Sequence, residues 1–346
     1  MTRQRLGFFT RVLDEVAPAE RYRLAIEQIA HAEAVGFDTA WVAQHHFHGD
    51  EGGLPSPLVL LATAAARTSR IVLGTSIVTL PLEAPLRVAE DAAVLSLLSG
   101  GRFELGIGSG GTPSSFGPFG HDPADRPVIY ARHAAQLRAA LRGDVLTSDG
   151  GGLYPAAPGL LDTIWEATFS AAGAGRIGAA ASGLMLSKTQ PHDADAPAGP
   201  GALSATQRPL VDAHRAALPA GVPPRVFGSR NLVVVDDEAT AERLVQRGIE
   251  RSIPAARALG VDVPSGATTD ELRALFDLHV GTPERVVEEL SHDSVLLGAT
   301  DLVFQSHPVD PPHDVLLRSL ELIATRVAPA LGWTPAAHAP KEDSRV

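Results

Sequence analysis

Three histidines stand within four positions in the stretch AVGFDTAWVAQHHFHGDE, residues 34–51, where His45, His46 and His48 directly follow an apolar run. Imidazole titrates near neutrality and also ligates metals, so two chemistries compete for this segment. The His46-x-His48 pair has the bare spacing of metal ligands in barrel hydrolases, and Asp50 and Glu51 could strengthen such a set. A bound ion would need further ligands from the ends of later strands. Alternatively, one histidine does acid–base or electrostatic work in a pocket, and the others are loop residues satisfied by their neighbours. A second stretch, FSAAGAGRIG over 169–178, joins a strand end to a helix expected to begin at about Ala174. Small side chains let a ligand approach the backbone, and the free N–H groups of a first helical turn favour phosphate. Arg176 would add a charge-assisted contact. The same glycines also suit a plain tight connection.

Composition narrows the partners. Against 40 Asp+Glu stand 29 Lys+Arg, a formal net charge of −11, and the basic residues form no run. That disfavours nucleic acid and anionic membrane surfaces, which call for a clustered basic face. With no cysteine there is no disulfide framework, thiolate nucleophile or Cys-based zinc site. The N-terminal stretch MTRQRLGFFTRVLDE lacks the apolar run of a secretory signal, and no apolar segment is long enough to span a bilayer. The expectation is a soluble, cytoplasmic protein. An apolar content of 45% in 346 residues suits one large α/β domain, and 33 glycines with 27 prolines suit many short turns.

The elements that would position these residues alternate. Strands are predicted at 5–10, 39–43, 70–78, 102–108, 163–170, 184–187, 225–235 and 301–305. Helices are predicted at 19–35, 57–67, 85–98, 128–142, 174–183, 237–250, 281–290 and 313–327. The helix at 19–35 carries Tyr22, Ile26 and Ile29 on one face and meets a stop at Gly36. Excursions fall at 108–127, 143–162, 191–201 and 252–280, and a polar tail starts at 333, leaving a single domain over 1–332. Eight strand–helix units predict a (β/α)8 TIM barrel. The rival, an open doubly wound sheet, lacks an early strand–GxGxxG–helix turn; GIGSGG at 106–111 runs into a Pro/Gly loop instead.

In a barrel, chemistry gathers at the C-terminal strand ends. That rule brings together Thr10 and Arg11, Gln44 to His48, Ser109 and Gly110, Ser170 to Arg176, Ser187 and Lys188, and Gln305 to His307. Phe9, His46, Lys188 and Gln305 are the candidates for a substrate pocket, with Phe8, Phe116 and Phe119 as further aromatics that suit a pocket or plain packing equally.

The stretch GFDTAWVAQHHF, 36–47, resembles the bacterial luciferase-like superfamily of flavin-dependent monooxygenases. The likeness continues through LGTSIVTLPLEAPLRVAEDAAVLSLLSGGRFELGIGSG, 73–110, with Pro85, Arg87, Glu90, Asp91 and the Ser-x-Gly-Arg-Phe turn at 99–103, and returns at 280–305. The resemblance implies a barrel with FMN lying across the strand ends. It makes His45 the catalytic histidine, which stabilises the reduced flavin–oxygen adduct or handles a proton. It sets Gly74-Thr75 where the family has a non-proline cis peptide against the flavin. It assigns Ser170, Ala172, Gly173, Ala174, Gly175 and Arg176 to the phosphate, with Ser109 and Gly110 nearby. Gln44 stands where relatives often carry Glu, Ser109 where luciferase has Arg, and Gly108 where luciferase has its reactive cysteine, which argues against light emission. The implied activity is oxidation of a small organic substrate with reduced FMN and O2, the FMN arriving from a separate reductase and the enzyme acting as a homodimer. An F420-dependent dehydrogenase, a flavin-binding protein without activity, and a metal hydrolase are the alternatives.

Overall fold

A computed structural model of the chain describes residues 3–189, 201–258 and 261–335. Its centre is one curled, all-parallel sheet of eleven short strands with helices between them. In chain order the strands are β1 (Arg5–Thr10), β2 (Thr39–Val42), β3 (Val72–Thr75), β4 (Val78–Thr79), β5 (Phe103–Glu104), β6 (Gly106–Gly108), β7 (Trp165–Ala167), β8 (Gly183–Leu186), β9 (Val226–Val234), β10 (Leu278–Gly281) and β11 (Asp301–Gln305). The helices are α1 (Pro18–Val35), α2 (Pro57–Ala65), α3 (Pro85–Leu98), α4 (Arg126–Arg142), α5 (Gly159–Asp162), α6 (Ala171–Ala179), α7 (Ala202–Ala217), α8 (Glu238–Ala258), α9 (Thr269–Leu275), α10 (Pro283–Leu290), α11 (Ser294–Leu297), α12 (His313–Leu322) and α13 (Ala328–Ala330). The sheet order is β4-β6-β7-β8-β9-β11-β1-β2-β3-β5, and β10 pairs with β9.

Two predicted strands are interrupted. The run at 70–78 divides into β3 and β4 at a cis peptide bond between Ser76 and Ile77. The run at 102–108 divides into β5 and β6 at Leu105. β3 pairs with β5 (Leu73 beside Phe103), and β4 pairs with β6 (Val78 beside Ile107).

Inside the curl lies a cluster of Phe9, Trp41, Ala43, Trp165, Met185, Phe227 and Val303. The Trp41 and Trp165 rings meet edge to face at 5.9 Å, and Phe227 stands 5.1 Å from Trp41. Such large rings fit only because glycines face them: a Cβ on Gly74 or on Gly183 would fall 2.2 Å from Trp41 or Trp165 respectively. Beneath the rings, Arg5 pairs with Glu104 at 2.6 Å and Asp301 at 2.7 Å. Outside the sheet, Leu, Ile, Val and Ala from α1, α2, α3, α4 and α12 form the larger core.

α1 begins at a proline in its first turn and ends at Gly36, whose φ of 109° lets its N–H reach the carbonyls of Ala32 and Glu33. α3 matches its predicted bounds of 85–98. Other bounds move. α6 starts three residues before the expected Ala174, because the Ser170 hydroxyl caps it by accepting from the Gly173 N–H at 3.1 Å. α8 runs to Ala258 despite Pro254. The excursion at 252–280 contains α9, held by a reciprocal Thr268–Glu271 capping box, and β10. Helix α7 has no counterpart among the predicted elements. The tail does not begin at 333, since Trp333 is 3% exposed and donates its indole N–H to Asp38 at 2.9 Å. Most of the excursion at 191–201, and the segment from 336 onward, lie outside the described residues. No helix among the described residues is long and apolar enough to cross a membrane.

Candidate functional site

A cavity of about 490 Å³ opens at the C-terminal ends of the strands. One wall is apolar: Phe9 from β1, Ile77, Phe116, Met185 from β8 and Phe227 from β9. Alternation along β1 turns Phe9 inward and sends Phe8 into the outer core. The rest is polar: Gln44, His45 and His46 after β2, Ser109 and Gly110 after β6, Ser170 after β7, and Gln305 at the end of β11. Eight of the candidate residues therefore meet at one cavity.

The others do not line it. Gly74 and Thr75 serve the sheet instead. Gly74 lies against Trp41, and the Thr75 hydroxyl donates to the Gly106 carbonyl at 2.8 Å and accepts from its N–H at 2.9 Å. The cis bond falls two residues later, at Ser76–Ile77, and both of those residues line the cavity. With α6 beginning at Ala171, Ala172 and Gly173 sit in its first turn, with Gly173 and Ala174 buried. Gly175 lies further along, and Arg176 is in the last turn, exposed. Lys188 follows the lining residue Ser187 without reaching the wall.

Gln44 is a joint. Its carboxamide donates to the Pro55 carbonyl at 3.0 Å and to Glu83 at 2.7 Å, and accepts from the Thr79 N–H at 2.7 Å. It thereby locks the end of β2 to β4 and to the turn before α3, directly beside His45. The His45 N–H bonds the Leu54 carbonyl at 3.0 Å, and its ring lies over Gly52, where a Cβ would meet Nδ1 at 2.2 Å. The loop beyond His46 is tied to the 112–115 segment: Thr112 donates to Glu51 at 2.9 Å, and His48 Nε2 and the Ser114 hydroxyl are 3.0 Å apart. The His46 ring meets Phe119 edge-on at 4.9 Å. Arg126 closes the far side by donating to the Gly110 carbonyl at 2.9 Å. The segments 46–52 and 108–126 thus form a braced rim, whereas 252–280 belongs to the sheet and its helices.

Electrostatics sort the histidines. Burial, reinforced by Arg11, His307 and His46, pushes His45 down to about 3, so it is neutral at physiological pH. Burial lowers His46 as well. His307 falls to about 4, from burial and Arg11, against the pull of Asp310, 2.8 Å from its Nδ1. His279 goes the other way, to about 9: burial opposes its charge, but Asp277 and Glu289 outweigh it. Among the described residues, no three His, Asp or Glu side chains are grouped to hold a metal ion. Four buried polar atoms at or beside the cavity lack a hydrogen-bond partner: Arg11 Nε, His45 Nδ1, His46 Nε2 and Gln305 Oε1. Sequence reasoning passed over Ser76, Ile77, Thr79, Thr168 and Ser229, which all line the wall. For Ser229 a signal existed, the polar run Ser-Arg-Asn inside the apolar strand β9.

The neutral state of His45 has a consequence for acid stability. The folded pKa of about 3 lies below the unfolded value near 6.5, so the unfolded chain binds the extra proton. Stability tied to the neutral imidazole is present above 6.5 and drains away as pH falls toward 3. His45→Gln is expected to lose about 2 kcal/mol less than the parent between pH 7 and pH 4.5. Urea unfolding at the two pH values measures this, and equal losses in both proteins would contradict it.

The profile of the luciferase-like monooxygenase family matches residues 6–301. Over 109 residues the chain is 44% identical to 4-hydroxyprotoasukamycin monooxygenase of Streptomyces nodosus subsp. asukaensis, covering 32% of this chain and 29% of that enzyme. Two further relatives, uncharacterised proteins of Sinorhizobium fredii, are likewise matched over only 36% and 40% of their lengths. The fold superposes on a type II Baeyer–Villiger monooxygenase, the oxygenating constituent of 3,6-diketocamphane monooxygenase from Pseudomonas putida, solved with FMN (TM-score 0.69, 20% identity, 95% of this chain, 99% of that one). It also superposes on coenzyme F420 dependent tetrahydromethanopterin reductase from Methanopyrus kandleri (TM-score 0.70, 18% identity, 95% and 100%). At those identities the two structures speak for the fold alone. With its HHF loop, its strand-end cavity and a family match running from β1 to the start of β11, the chain belongs to the luciferase-like monooxygenases.

Proposed function

We propose that this protein is an FMN-dependent monooxygenase that uses reduced FMN and O2 to oxidise a small organic substrate in the cavity at the strand ends. The observation that carries the proposal is His45: a neutral imidazole just past the end of β2, set in the polar wall of a cavity whose other wall is apolar. The residues fit a flavin. Ile77 offers an apolar face to a planar ring, leaving Phe9, Met185 and Phe227 for the substrate, and the His45 ring with the unpartnered Oε1 of Gln305 suits the polar edge of the flavin. Ser109, Thr168 and Ser170 bring hydroxyls to the side where α6 begins, and the first amides of that helix favour a phosphate. Gly74, Thr75 and Arg176 drop out of the binding set in this reading, and Ser76 and Ile77 replace them.

Bound reduced FMN supplies the electrons that activate O2. His45 holds or passes one proton at the cavity wall, as a neutral imidazole can. The braced rim of 46–52 and 108–126 borders the mouth of the cavity. Relatives of this fold include an FMN complex and F420-dependent enzymes, so the deciding experiment is a titration of the protein with reduced FMN and with reduced F420 under anaerobic conditions, followed by O2. The expected result is tight binding of reduced FMN and a rate of FMN reoxidation that differs from the free rate. His45→Gln should keep the binding and lose about 100-fold or more of substrate oxidation. Binding of F420 alone would move the protein to hydride transfer without O2, and binding of neither would end the proposal.

The pairings β3–β5 and β4–β6 support a closed (β/α)8 barrel, in which β3 with β4 and β5 with β6 each count as one strand. The supply of reduced FMN is assigned to a separate flavin reductase. The assembly is a homodimer through α2 and α3, whose outer sides leave Val59, Val94, Leu97 and Leu98 between 44% and 70% exposed. Replacing Leu97 and Leu98 together by Asp is expected to halve the mass seen in sedimentation. A monomeric parent at micromolar concentration would dispose of the dimer.

A further inference from the structure

Arg11 follows β1 into the cavity wall, and its guanidinium makes no hydrogen bond or ion pair among the described residues. Its Nε is buried and unpartnered. A half-buried cation with no direct hydrogen bond or ion pair is unfavourable and is rarely kept without a use. The nearby carboxylates are engaged elsewhere: Asp310 with His307 at 2.8 Å and Arg251 at 3.1 Å, and Glu51 with the Thr112 hydroxyl at 2.9 Å. Lys188, close enough to Arg11 and His307 for each to feel its charge, is likewise without a hydrogen bond or ion pair among the described residues. Gln305, 4% exposed, donates its amide to the Ser229 hydroxyl at 3.0 Å and leaves Oε1 unpartnered toward the same space. Turned over, the same amide accepts from Ser229 and offers N–H instead.

We propose that the organic substrate is an amphiphilic acid, its carboxylate received by Arg11 with Lys188 behind it and its apolar body laid against Phe9, Met185 and Phe227. This rests on the monooxygenase reading above and names the substrate class for that site. The positive charge needs an anion, the three side chains need an apolar neighbour, and both demands fall within one cavity.

The test uses matched acids and amides, namely phenylacetate, benzoate and octanoate against phenylacetamide, benzamide and octanamide. Calorimetry is run on the full chain at pH 7.5, with and without FMN. At least one acid is expected to bind about tenfold or more tighter than its amide, as a charge-assisted contact requires. Arg11→Gln should bring that ratio to near one, Lys188→Met should reduce it, and FMN binding should change less than threefold in either. Without ligand, Arg11→Met should melt a few degrees above the parent, because it removes an unpaired charge; a structural arginine would do the reverse. Equal binding of acids and amides, binding of none of them, or a lower melting point in Arg11→Met would each overturn the proposal. If Arg11→Gln abolishes FMN binding and leaves the acid preference intact, the charge serves the cofactor and the proposal also falls. If acids are preferred but neither FMN nor F420 binds, the anion site stands and the monooxygenase reading fails.

Discussion

At pH 7, Gln44→Glu is expected to destabilise the fold by roughly 4 kcal/mol, and the loss should vanish on acidification. Gln44 donates to Glu83 at 2.7 Å and is 6% exposed. A carboxylate in its place would face a second carboxylate at contact distance, so the pair would keep one proton. Glu83 is already raised by burial, and the Gln44 hydrogen bond that now opposes this would be gone. The shared proton has a folded pKa above the unfolded value near 4.3. Stability is therefore intact below about 4.3 and lost as pH rises, reaching about 1.4 kcal/mol for each unit up to 7. Urea unfolding at pH 4.5 and pH 7 tests this. An unchanged midpoint at pH 7 would mean that the pair relaxes apart.

Gly106→Ala is expected to cost more than about 4 kcal/mol and to leave little soluble protein. A Cβ there would fall 1.9 Å from the Thr75 carbonyl oxygen and 2.9 Å from the end of Met185. Met185 can swing away. The carbonyl cannot, because Thr75 is bound to Gly106 twice through its hydroxyl. Moving it would drag Ser76, Ile77 and the Gly108–Gly110 wall of the cavity with it. Gly111→Ala is the control: it lines the same cavity with nothing within 4 Å of the new carbon, and should change stability by about 0.5 kcal/mol or less. Equilibrium unfolding of both variants decides the matter, and a Gly106→Ala protein as stable as the parent would show that the backbone yields there.

Much of this architecture is legible in the sequence because period and punctuation are local. Apolar spacing with Pro and Gly at the ends places α1 and α3 within a residue. The alternation of strands and helices predicts the parallel sheet, and the strand-end rule alone gathers Gln44, His45, His46, Ser109, Ser170 and Gln305 at one face. What stays hidden depends on contacts distant in sequence. By the resemblance Gly74 reads as a place against the flavin; only the Trp41 ring on the neighbouring strand shows that its missing side chain makes room for that ring. Ser170 reads as a phosphate ligand, and only the helix start shows that its hydroxyl also caps α6 by accepting from the Gly173 N–H. α9 and β10 are short and polar at their borders, and β10 declares itself by pairing with β9.

The sequence by itself determined the α/β parallel-sheet class, the family and the place of His45 at a strand end, because patterning and motif are properties of neighbouring residues. The tertiary structure decided the charge of that histidine and the loneliness of Arg11. Both follow from burial and from which distant groups share the cavity, and no spacing along a chain encodes them.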